Sequence, residues 1–136
     1  MFPPSRKAPT ERQAHGRQGE ALARRYLERQ GYAIEAANVR LRPGELDVVA
    51  LDGPTLCFIE VRTVTTKAFG PATASIDQRK RRHVLRAARS YLQARRPAWA
   101  GEIRFDVVAI DASSATPAIE LIRNAFDATD GSKSWW

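Results

Sequence analysis

Two apolar runs separated by four turn-forming residues constrain this chain more than any other feature. Leu46-Asp47-Val48-Val49-Ala50-Leu51 and Leu56-Cys57-Phe58-Ile59-Glu60-Val61-Arg62 are rich in β-branched and large apolar residues, and Asp52-Gly53-Pro54-Thr55 lies between them. Runs of that composition bounded by Gly and Pro read as a β-hairpin. A turn centred between Gly53 and Pro54 pairs residues whose numbers sum to 107, which sets Asp47 opposite Glu60. Pro54 argues against a tight two-residue loop, but a four-residue loop keeps the same sum. Opposed side chains on an antiparallel pair have Cβ atoms about 5 Å apart, and like charges there cost stability. Two carboxylates at that separation can hold one hard divalent cation. The alternative is a solvated pair, since a one-residue change of register would send the acids to opposite faces.

The rest of the chain supplies partners for this hairpin. A first helix is expected over residues 14–30, where Leu22, Ala23, Tyr26 and Leu27 recur at helical spacing and Gly31 follows as a stop. Glu20 falls at the edge of that apolar stripe, where it can reach a groove beside the sheet. It can equally complement the helix dipole from an early turn. A strand is expected from Tyr32 through Glu35, continuing through Val39-Arg40 and ending in the Arg42-Pro43-Gly44-Glu45 turn. Thr65 to Ala74 reads as a loop. A second helix opens on Ser75-Ile76-Asp77-Gln78, a capping box with Ser75 as N-cap. Val84, Leu85, Ala88, Tyr91 and Leu92 form its apolar face, and Pro97 closes it. Two strands follow, over Ile103 to Ile110 and Ala118 to Ile122, and Asn124-Ala125-Phe126 is expected to begin a short helical turn. One helical crossover among hairpin strands gives an α/β fold with a mixed sheet and helices packed on it. The expected organisation is a flexible arm over residues 1–12, one domain over 13–127 and a tail over 128–136 ending in Trp135-Trp136. There is no internal repeat.

At 136 residues, 43% of them hydrophobic, the chain is long enough for one real core. Its net charge is +7 and its pI about 10.3, with Arg supplying most of the positive charge. That balance favours a polyanionic partner, because the guanidinium forks onto phosphate, although a composition bias of the genome would give the same balance. Arg79, Arg82, Arg86 and Arg89 line one face of the second helix, with Lys80 beside them and no acidic residue after Asp77 to pair with. The stripe reads as a phosphate track or as a solvated face. Arg40 adds a cation near the hairpin. The single cysteine, Cys57, excludes an intrachain disulfide and a thiolate metal cluster. His15 and His83 lack metal-ligand spacing, no Gly-rich phosphate loop is present, and no Ser or Cys has an evident His partner. No segment is apolar enough to span a membrane or to act as a secretory signal, so a cytoplasmic location is expected. If the acid pair holds a hard cation, phosphodiester hydrolysis assisted by Mg²⁺ or Mn²⁺ is chemistry that would need these residues. Asp47, Glu60 and the Val61 carbonyl would be the core ligands, with Glu20 as a third carboxylate. Arg62 shares a strand face with Glu60 and would point towards the same metal and phosphate.

Gly16-Arg17-Gln18-Gly19-Glu20, Gly44-Glu45-Leu46-Asp47 and Phe58-Ile59-Glu60-Val61-Arg62 resemble the corresponding segments of the YraN family, a small bacterial family of uncharacterised proteins. Asn38-Val39-Arg40, Arg104-Phe105-Asp106-Val107-Val108 and Asn124-Ala125-Phe126 strengthen the match, which spans residues 16 to 126. The resemblance implies a restriction-endonuclease-like αβββαβ core, similar to archaeal Holliday junction resolvases, with a PD-(D/E)xK metal site. It makes Glu20 the helix acid, Asp47 the motif aspartate and Glu60 the second acid. The family has Lys where this chain has Arg62. Arg can stabilise charge, but it is never neutral and cannot act as a general base. Catalysis is then reduced, or another cation such as Lys80 or Lys67 substitutes. The expected function is a metal-dependent endonuclease acting on DNA, including branched or damaged DNA, and junction cutting would favour a homodimer. The alternatives are a non-catalytic nucleic-acid-binding module on the same fold and an adaptor whose basic face meets an acidic protein.

Overall fold

The computed structural model describes residues 11–64 and 78–127, with only the backbone of 11–16. The N-terminal ten residues, the 65–74 loop with Lys67, the Ser75 cap and the 128–136 tail lie outside the described residues.

The first helix, α1 (Glu11–Arg29), buries Ala23 and Leu27. It begins at Glu11, within the stretch expected to be an arm. Gly31 ends it with φ +96°, a left-handed conformation that glycine adopts without a Cβ clash. Tyr32 N–H donates to the Leu27 carbonyl and Gly31 N–H to the Glu28 carbonyl, both at 3.0 Å. This double closure satisfies the last turn and turns the chain directly into β1 (Ala33–Leu41).

β2 (Gly44–Asp52) and β3 (Thr55–Val64) form the expected hairpin. The pairs Val48↔Ile59, Val49↔Phe58, Ala50↔Cys57 and Leu51↔Leu56 hold the expected register. The loop is tighter than expected: Asp52 pairs with Thr55, leaving only Gly53-Pro54 between the strands. Gly53 at φ +59° supplies the positive φ that a primed turn needs at its first central position. The fixed negative φ of Pro54 suits the second position.

α2 (Gln78–Arg95) carries the chain to β4 (Ile103–Asp111), which pairs parallel with β3. β5 (Ala118–Phe126) returns antiparallel to β4, giving a sheet in the order β1-β2-β3-β4-β5. The helical turn expected at Asn124-Ala125-Phe126 is absent. These residues continue β5 through an irregularity opposite Phe105 and Val107, with Asn124 at φ +54°. The buried Asp106 carboxylate accepts the Asn124 N–H at 2.9 Å, so the local bend belongs to a strand bulge and not to a helix.

Helices cover both faces of the sheet. Under α2, Val49, Phe58, Phe105 and Val107 pack against Val84, Leu85, Ala88, Tyr91 and Leu92. Phe58 meets Tyr91 edge-on at 5.9 Å and stacks on Phe105 at 5.6 Å. Under α1, Ala23, Leu27 and Tyr32 pack against Val48, Ala50, Cys57, Ile59, Val108 and Ile110. Double coverage explains why β3 and β4 are apolar almost without alternation. α1 approaches β3 closely: a Cβ on Gly19 would lie 2.3 Å from Thr63 Oγ1. That contact fixes where the next residue, Glu20, stands relative to the hairpin.

Candidate functional site

The β2–β3 register runs from the turn to Val48↔Ile59, and one step further the Asp47 and Glu60 carboxylates each accept a backbone N–H from the opposite strand. Val61 N–H donates to Asp47 Oδ2 at 2.9 Å, and Asp47 N–H donates to Glu60 Oε2 at 3.3 Å. Each acid therefore reaches the other strand's backbone, and the two converge where the pairing of a hairpin would otherwise continue. Continued one step beyond Val48↔Ile59, the observed register would set them opposite one another. Glu60 is 2% exposed and Asp47 half-buried, so neither is a freely solvated surface acid.

Electrostatics at this point work against ionisation. Burial pushes the Glu60 carboxyl up to about 8, and the Asp47 charge adds to the rise. Burial likewise raises Asp47, partly offset by the Val61 N–H and the Lys80 charge. Buried carboxylates side by side disfavour the doubly charged state, so the pair tends to retain a proton near neutrality. Glu60 Oε1 is buried with no hydrogen-bond partner. The ammonium of Lys80, from the first turn of α2, stands 3.5 Å from it. A hard cation would relieve both the repulsion and the unsatisfied oxygen, and the all-oxygen donor set is of the type Mg²⁺ selects.

Glu20 is half-buried beside the pair. Burial and then the Asp47 charge raise its pKa, while a hydrogen bond with Asn38 lowers it. Asn38, at φ +52° within β1, was not among the sequence-derived site residues; a strand Asn in the left-handed region is the signal that marks it. Glu45 is exposed, and its charge raises both Glu20 and Asp47, so it extends the negative potential over the site besides opening β2. Among the described residues no three Asp, Glu, His or Cys side chains converge tightly enough to enclose an ion. The structure thus brings Asp47 and Glu60 into contact and keeps Glu20 in the surrounding shell. Val61 contributes its N–H to Asp47. Arg62 is half-buried two residues beyond Glu60, with no ion-pair partner among the described residues.

Arg79, Arg82, Arg86 and Arg89 are exposed on the outer side of α2. Lys80, about 100° around the helix from Arg79, reaches inward to Glu60. One helix thus presents the Arg stripe outward and delivers a lysine to the acids. Arg81 is instead held 5.6 Å over the Phe126 ring. Arg40 is exposed and pairs in register with Glu45 across β1 and β2. His83 is exposed on α2, as expected.

A second polar cluster is structural. Asp106, fully buried inside β4, accepts Tyr32 O–H at 2.9 Å, Arg104 Nε at 2.8 Å and the Asn124 N–H. Arg104 also donates to Asp52 at 2.7 Å. A buried carboxylate with this many donors is satisfied, and the cluster ties β4 to β5, the α1–β1 junction and the hairpin turn. Asp106 is a structural acid within β4.

The family described as Uncharacterised protein family UPF0102 matches residues 19–110, a span that holds Glu20, Asp47, Glu60, Arg62 and the α2 stripe. A UPF0102 protein of Desulfosudis oleivorans is 44% identical to this chain, over 87% of it and 94% of the relative. One from Pseudomonas aeruginosa is 47% identical over 83% of this chain and 92% of its own length. One from Xanthomonas euvesicatoria is 45% identical over 90% and 98%. The relatives' names state no activity. No helix among the described residues is long and apolar enough to cross a membrane.

Proposed function

We propose, starting from a chain that belongs to the UPF0102 protein family, that this domain is a divalent-metal-dependent endonuclease acting on DNA, with branched or damaged DNA among its substrates. The observation that carries the reading is Glu60: a buried carboxylate set against a second carboxylate, with one oxygen that no hydrogen bond satisfies. Such an arrangement costs the fold stability and is retained where it serves chemistry. Mg²⁺ or Mn²⁺ bound there would supply Lewis-acid charge and an activated water.

The chain's own residues have separable tasks in this reading. Asp47 and Glu60 would hold the ion, with Glu20 and its hydrogen-bonded Asn38 beside them. Arg62 lends fixed positive charge from the face that Glu60 shares. Arg79, Arg82, Arg86 and Arg89 track the phosphate backbone away from the site, and Arg40 approaches it from β1. Paired cutting of a four-way junction would take two copies of the chain.

A binding module without turnover is the second reading, and Arg62 favours it, because a permanently charged guanidinium cannot take a proton from water. Cleavage of labelled linear, flapped and four-way-junction DNA in Mg²⁺ or Mn²⁺, beside Asp47→Ala, separates the two. The nuclease reading expects metal-dependent cutting that Asp47→Ala abolishes. Salt-sensitive binding without cutting selects the binding module.

A further inference from the structure

Two cations of this chain can serve the acid pair, and the structure treats them differently. Arg62 leaves β3 two residues beyond Glu60 and forms no ion pair with a described carboxylate. Lys80 comes from another element and places its ammonium 3.5 Å from Glu60 Oε1, the buried oxygen that lacks a hydrogen bond. The contact is a loose ion pair and not a closed hydrogen bond. The Lys80 side chain is 52% exposed, on a four-carbon stem rooted in the first turn of α2. Lysine is a compact point charge that can swing on that stem, whereas a guanidinium is a rigid fork.

Building on the metal-site reading above, we propose that Lys80 is the exchangeable cation of this site: it holds Glu60 Oε1 in the metal-free protein, yields that oxygen to a divalent ion, and then contacts the phosphate of the bound DNA. One contact and two of its consequences meet in this assignment. Glu60 Oε1 is buried without a hydrogen bond, and the Lys80 ammonium is placed 3.5 Å from it. A divalent ion held by Asp47 and Glu60 would compete for the same oxygen and repel the ammonium. The displaced side chain would remain tethered to α2, the helix that carries the outward Arg stripe, and so stay near a phosphate held there. A lysine that served packing alone would not need to place its charge on the one buried side-chain oxygen that lacks a hydrogen bond among the described residues.

The assignment is tested with Lys80→Met, which keeps the stem and removes the charge, and Lys80→Arg, which keeps a charge, both in the full chain. Calorimetric titration with Mn²⁺ should show Lys80→Met binding the metal about three- to tenfold more tightly than wild type, because the competing cation is gone. Lys80→Arg should return affinity towards the wild-type value. Single-turnover cleavage by Lys80→Met should fall by about a hundredfold, with part of the loss restored in Lys80→Arg. Mn²⁺ affinity unchanged or weakened in Lys80→Met overturns the exchange, and undiminished cleavage overturns the phosphate contact. Either result, with a wild type that binds metal and cuts, leaves the nuclease reading standing. No Mn²⁺ binding by wild type or by either variant overturns both.

Discussion

Replacing Asp47 with Asn should make the metal-free protein more stable while destroying the site. The substitution is nearly isosteric, and the amide oxygen can still accept the Val61 N–H that Asp47 Oδ2 accepts at 2.9 Å. What disappears is a charge beside Glu60. Opposed residues on paired strands stand about 5 Å apart. Two unit charges at that distance repel by roughly 3 kcal/mol at an effective dielectric of about 20. Retained protons and the Lys80 ammonium absorb part of that, leaving an expected gain of about 1–2 kcal/mol. For a domain of this size that is a rise in Tm of roughly 4–8 °C. The pH dependence follows from the direction of the shifts. Both acids have raised folded-state pKa values, Glu60 from 4.5 to about 8, so the folded protein holds more protons than the unfolded chain between those values. Wild-type stability therefore declines as pH rises through that window. The advantage of Asp47→Asn is full above pH 8 and shrinks towards pH 4.5. Thermal melts of both proteins from pH 5 to 9 in a chelator measure it, and melts in millimolar Mg²⁺ should raise wild type alone. An Asp47→Asn protein destabilised by more than 1 kcal/mol at pH 8.5 would refute the reasoning, because the carboxylate would then be a structural partner of β3.

Three further outcomes follow from particular contacts. Arg104→Met leaves the fully buried Asp106 without its guanidinium and should cost about 3–5 kcal/mol in chemical denaturation, with Mn²⁺ affinity unchanged in the folded protein. Gly19→Ala sets a methyl 2.3 Å from Thr63 Oγ1 and should cost about 1–3 kcal/mol; Thr63→Ala in the same chain should recover most of it in a double-mutant cycle. Arg82→Ala should weaken DNA binding similarly for all sequences and reduce the slope of log K against log salt by about 1, read by anisotropy over a salt series.

The hairpin was legible because both of its determinants are local. Alternating and β-branched residues around Gly53-Pro54 set the register, and the register alone sets Asp47 against Glu60. Helix α1 was legible from its stripe and from Gly31, whose positive φ is what a C-terminal stop requires. Errors arose where one residue type serves two local geometries. Pro54 pointed to a looser loop, yet its fixed φ fits the second turn position once Gly53 takes the first. Asn124 suggested a helical turn, but its left-handed backbone belongs to a bulge closed by Asp106, 18 residues away in sequence. The contacts that complete the site and the core were not legible, because they depend on the crossover. The Lys80–Glu60 pair exists only because α2 runs back over β1 and β2, which brings its first turn to Glu60. Tyr32 and Asp106, 74 residues apart, meet only when β4 inserts beside β3. Glu35 pairs with Arg96 and Tyr91 for a similar reason: a register irregularity in β1 between Ile34 and Ala36 falls at Glu35, which reaches the end of α2.

The central claim is that Asp47 and Glu60 together bind a divalent ion, and crystals soaked in Mn²⁺ test it without any assumption about substrate. The account predicts an anomalous difference peak between the two carboxylates, about 2.1 Å from an oxygen of each, with the Lys80 ammonium moved away from Glu60 Oε1. Millimolar Mn²⁺ that leaves this position empty, with Lys80 still 3.5 Å from Glu60, would contradict it.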